Sequence, residues 1–137
     1  MNMITADEET LLSSFETCKL PKGEFKHMQH VQVAWIILSK DPLFAALRRF
    51  RFHLKAFAVF NNVPDLYNET VTCFYLLLIH ARMDKIGRRH SWDDFRVTNP
   101  DLFHPPKIFL ETYYPKEAAF SSQAKSVFLL PETETAD

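Results

Sequence analysis

An all-α fold is predicted by three features of the chain. Apolar residues recur at three- and four-residue spacing through four successive segments, and no stretch alternates convincingly as a strand. Only two glycines occur in 137 residues, too few for a sheet with many tight turns. Pro100, Pro105, Pro106, Pro115 and Pro131 break the last third of the chain into short pieces. Residues 1–137 therefore read as a single domain, a four-helix core with a Pro-rich tail of short helices wrapped over it.

The elements follow in order. Residues 1–4 are expected to fray. Thr5-Ala-Asp-Glu8 is a capping box opening a first helix, whose apolar stripe is Leu11, Leu12, Phe15 and Cys18 and whose end is set by Pro21 and Gly23. A second helix runs from about Lys26 to Ser39, with Val31, Ala34, Trp35 and Leu38 facing the core. The third spans about 42–61; Leu43, Leu47, Phe50, Leu54 and Phe57 form its apolar face, and Arg48, Arg51 and Lys55 its basic stripe. Pro64-Asp65 should start a fourth helix reaching about Met83, apolar all round from Phe74 to Ile79 and hence central. Asp84 to His90 is a charged loop, Ser91 to Asp94 opens a short helix, and fragments at Lys107–Tyr113, Lys116–Phe120 and Ser122–Leu129 make the tail. The acidic residues 131–137 read as disordered, which leaves about 5–130 ordered.

Composition narrows the function classes. Hydrophobic residues make up 47% and aromatic residues 14% of the chain, with thirteen Phe, which predicts an aromatic-rich core or an apolar pocket. The net charge of −1 gives no global reason to expect nucleic acid or a membrane surface. Two cysteines, Cys18 and Cys73, make neither a disulfide framework nor a zinc knuckle. No signal peptide or membrane span is read in the chain, so the expected setting is cytoplasmic.

Two polar clusters carry the chemistry. Phe25-Lys26-His27-Met28-Gln29-His30 opens the second helix, and Tyr67-Asn68-Glu69-Thr70-Val71-Thr72 lies near the start of the fourth. Short loops favour antiparallel neighbours, so the second and fourth helices should run parallel with their N-termini at one end of the bundle. His30 and Glu69, each about four residues into its helix, would then project at the same height.

Three readings stay open for His27, His30 and Glu69. Two imidazoles and a carboxylate can ligate a divalent metal such as zinc, iron or manganese with positions left open for substrate. Without metal, a histidine oriented by Glu69 can move protons while Trp35, Tyr67, Asn68 and Thr70 wall or position a small-molecule substrate. A buried His–Glu pair can also be purely structural in a partner-binding protein or homodimer with Phe-rich faces. The run Arg48-Arg49-Phe50-Arg51-Phe52-His53-Leu54-Lys55 mixes bases and aromatics, but a solvated helix face explains it better than nucleic-acid binding.

The spacing F-x-H-x-x-H-V-x-x-A-W from Phe25 to Trp35, and Y-x-E-T-x-T from Tyr67 to Thr72, resembles a group of small, uncharacterised, mostly bacterial helical proteins. Asn99-Pro100-Asp101-Leu102, Tyr113-Tyr114-Pro115, Ser122, Ala124, Phe128 and Pro131 are similar to the same group's later segments. The group has no assigned activity, so the resemblance implies no reaction or cofactor. Its second cluster often reads Y-H-E-T; Asn68 stands here in place of that histidine, which counts against a metal at this position.

Overall fold

The computed structural model describes residues 2–87 and 89–131, and the chain is all-α: among these residues there is no strand. Among the described residues seven helices follow one another: α1 (Ala6–Glu16), α2 (His27–Lys40), α3 (Leu43–Phe60), α4 (Glu69–Ile86), α5 (Trp92–Thr98), α6 (Pro106–Phe109) and α7 (Ser122–Ser126). Short 3₁₀ turns fill the gaps. No helix among the described residues is long and apolar enough to cross a membrane.

The caps explain the boundaries. Thr5 and Glu8 close a reciprocal capping box on α1, and Ser91 and Asp94 do the same on α5. The start of α4 departs from expectation. Pro64–Leu66 forms only a 3₁₀ turn, Tyr67 and Asn68 are extended, and the helix begins at Glu69 because the Asn68 side chain accepts the Val71 N–H at 3.0 Å. Glu69 is thus the first residue of its helix rather than the fourth. α1 also ends early, at Glu16, where Cys18 takes a left-handed φ of 57° and the chain turns before Pro21. α4 runs on to Ile86 and stops at Gly87, whose φ of 109° suits glycine.

α1, α2, α3 and α4 pack on one another, α2 against both α3 and α4. Trp35, Ile36, Ile37, Leu76 and Ile79 are fully buried at the centre. Residues 1–4 were expected to fray, yet Ile4 packs on the core and the Asn2 side chain donates to Ser39 Oγ at 3.1 Å and accepts the His90 N–H at 2.8 Å. Residues 132–137, expected to be disordered, lie outside the described residues.

The last third is irregular, so its backbone polar groups need partners supplied from elsewhere. α4 provides them. Asn68 Nδ2 donates to the Ala119 carbonyl at 2.8 Å, Thr70 Oγ1 donates to the Val127 carbonyl at 2.8 Å, and the same oxygen accepts the Leu129 N–H at 3.0 Å. Arg82 adds a two-pronged ion pair to Asp101. Below these contacts Tyr114 edges onto Phe74, and its hydroxyl donates to the Leu129 carbonyl at 2.7 Å. Thr70→Val keeps the volume of a fully buried side chain but strands one carbonyl and one N–H. It should cost about 1–3 kcal/mol in urea unfolding and speed protease cleavage near residue 127.

Candidate functional site

Between the N-terminal half of α2, the C-terminal half of α3 and the N-terminal half of α4 lies a cavity of about 710 Å³. This use of alternate helix halves means that α2 and α4 bring their N-terminal ends to one place while α3 runs the other way. Each helix presents a stripe. α2 contributes His27, His30, Val31 and Ala34, and α4 contributes Val71, Thr72, Tyr75, Leu76 and Ile79, both at three- and four-residue spacing. Phe50, Leu54 and Phe57 from α3 and Phe25 from the preceding turn complete an aromatic-rich wall. Pro106, Lys107, Phe120 and Lys125 close it from the tail.

The two predicted histidines do meet here, in neutral form. His27 Nε2 lies 2.7 Å from the Leu102 carbonyl, which can only accept, so Nε2 carries the proton. Burial pushes the His27 imidazole below its ordinary range, and the Leu102 hydrogen bond only partly offsets this. His30 stacks on Phe25 with ring centroids 3.9 Å apart. Burial, and then the neighbouring His27, push its imidazole down to about 4, against the pull of a hydrogen bond with the Phe25 backbone. At neutral pH the inner wall therefore holds two uncharged rings.

Glu69 is elsewhere. It is absent from the cavity wall and forms a fork–fork pair with Arg51, Nε to Oε1 at 3.0 Å and Nη2 to Oε2 at 2.6 Å. The Tyr67 hydroxyl adds a third hydrogen bond to Oε1 at 2.6 Å. Burial alone would raise the carboxyl, but these hydrogen bonds outweigh it and hold Glu69 below the usual carboxylate range. The expected His–Glu pairing is corrected, and helix geometry gives the reason. Asn68, Glu69 and Thr70 are consecutive, so they fan out by about 100° each and cannot share one face.

The other predicted residues divide accordingly. Tyr67 lines the cavity, its hydroxyl engaged by Glu69 and its ring beneath Lys55 Nζ at 5.1 Å from the centroid. Asn68 borders the cavity too, but both ends of its amide are taken up by the helix cap and Ala119. Thr70 points to the tail and Trp35 to the core. The Trp35 indole N–H donates to His90 Nε2 at 2.9 Å, and its ring packs beside Trp92, away from the cavity. Neither is placed to touch a ligand in the cavity, which corrects their expected substrate roles.

The expected metal set of His27, His30 and Glu69 does not assemble. Among the described residues no group of three or more His, Cys, Asp or Glu side chains is placed to hold a metal ion. Cys73 is no activated nucleophile either, because burial, and then the charge of Glu69, push its thiol up to about 11.

Thr72, expected to line the same end of the bundle, borders the cavity. Two features escaped the sequence reading. Arg51, counted in a basic stripe, is the true partner of Glu69. Tyr75, buried in an apolar run, lines the cavity, sets its ring edge-on to His27 at 5.1 Å, and has a buried hydroxyl without a hydrogen-bond partner among the described residues. A tyrosine inside an otherwise apolar helix was the available signal, since such a hydroxyl ordinarily finds a partner. No protein-family model matches the chain, and no curated protein or solved structure matches it significantly.

The histidines make stability pH-dependent with a definite sign. The unfolded chain takes up a proton at His30 near its ordinary pKa of 6.5, whereas the folded chain resists until about 4, so stability falls as pH drops through that window and is unaffected above it. Urea unfolding at about pH 7.5 and about pH 5 should show a loss of about 2 kcal/mol from this group, and His30→Gln should remove that increment.

Proposed function

We propose that the chain binds an apolar small molecule in the α2–α3–α4 cavity. The observation that carries this reading is the cavity itself. It is a concave site open to solvent on one side, and its volume of about 710 Å³ falls within the range of dedicated ligand sites. Its wall is dominated by aromatic and aliphatic side chains, which favours an apolar ligand body. Among its polar residues, His27 and His30 are neutral and Thr72 is uncharged. They suit orientation of a ligand more than proton transfer, because neither imidazole has a carboxylate to stabilise its charged form.

Organic extraction of the protein followed by mass spectrometry should release an apolar compound in near-stoichiometric amount. Ala58→Phe, which puts a ring into the space beside α3, should abolish that yield while the far-ultraviolet spectrum stays helical. An unchanged yield from the blocked variant would defeat the reading.

A second reading has its own observation. On α3, Phe44, Phe52 and Val59 are exposed at 75%, 67% and 64% and lie within a sector of about 80° around the helix, interleaved with the exposed Arg48 and Lys55. Such a patch suits a homodimer or another protein partner. Light scattering should then give a mass that rises with concentration, and Phe52→Lys should hold it at one chain.

A further inference from the structure

The cavity wall is unbalanced in charge. Three lysines line it, Lys22 from the turn before α2, Lys107 from α6 and Lys125 from α7, and no Asp or Glu does. All three are also exposed to solvent, so they sit where the cavity opens rather than at its base. Their neighbours leave their charge in place. Lys107 Nζ lies 5.8 Å over the Phe120 ring, and Lys125 Nζ donates to the Asp65 carbonyl at 2.9 Å. None of the three forms an ion pair with another described residue, although six Lys or Arg pairs with carboxylates occur elsewhere among the described residues. Away from the lysines, the two imidazoles of His27 and His30 are neutral by desolvation.

We infer that the ligand is an amphipathic monocarboxylate, its anionic head among Lys22, Lys107 and Lys125 and its apolar body against Phe25, Phe50 and Phe57. This deepens the binding function proposed above and rests on it. A charged head directed inward would lose its hydration without a counter-ion, whereas at the opening it keeps water on one side and meets a wall whose charged side chains are all cationic. No arginine lines the cavity, so the forked contacts that favour a doubly charged phosphate are missing from its wall. A single negative charge on a long apolar body is the better match.

A matched series tests it on the full chain: decanoate, 1-decanol and decyltrimethylammonium, titrated calorimetrically below their aggregation limits against the wild type, Ala58→Phe, and the triple variant Lys22→Gln, Lys107→Gln, Lys125→Gln. Decanoate should bind the wild type most tightly and the cation least. The triple variant should bind decanoate about tenfold more weakly, with decanol unchanged, as three half-solvated ion pairs would give. Decanol binding as well as decanoate, or a triple variant indifferent to the head group, overturns the charge assignment and leaves the cavity reading standing. If no member binds, or if binding survives Ala58→Phe, the cavity reading falls together with this one.

Discussion

Two neighbouring side chains at the first turn of α4 support much of what surrounds them. Asn68 and Thr70 together satisfy one helix N–H, two tail carbonyls and one tail N–H. A segment as irregular as 99–131 cannot satisfy its own backbone, and buried backbone groups left bare are costly. These contacts therefore do more than decorate a helix end. They fix the tail on the bundle, and the tail in turn supplies the closing wall of the cavity.

Seen this way, the Y-N-E-T segment is a structural hub. Each of its four side chains is turned in its own direction. Tyr67 borders the cavity, Asn68 caps the helix, Glu69 ties α4 to α3 through Arg51, and Thr70 holds the tail. The cavity is then what remains between three helices joined this way. In its aromatic lining Phe25 lies between His30, on which it stacks, and Phe57, against which it tilts.

The fold class, the capping boxes at Thr5 and Ser91, and the core-facing stripe of Val31, Ala34, Trp35 and Leu38 were legible in the sequence because each depends on local spacing. The start of α4 was not. Pro64-Asp65 has the chemistry of a helix start, and only the side-chain cap made by Asn68 moves the true start to Glu69. That shift of a few residues rotates every later side chain, which is why the expected His–Glu contact failed while the convergence of the two helix ends held. The Arg51–Glu69 pair joins residues 18 apart on different helices, and no periodicity within one helix announces such a partner. Tyr75 was legible as an oddity, an oxygen in an apolar run, but its place on the cavity wall depended on the helix phase that Asn68 sets.

The closing wall also has a consequence for how the protein is made. During synthesis α2, α3 and most of α4 emerge before the residues that cover them, so the nascent chain presents an open apolar trough lined with phenylalanine. The wall cannot form until Phe120 and Lys125 have left the ribosome and Val127 and Leu129 have reached Thr70.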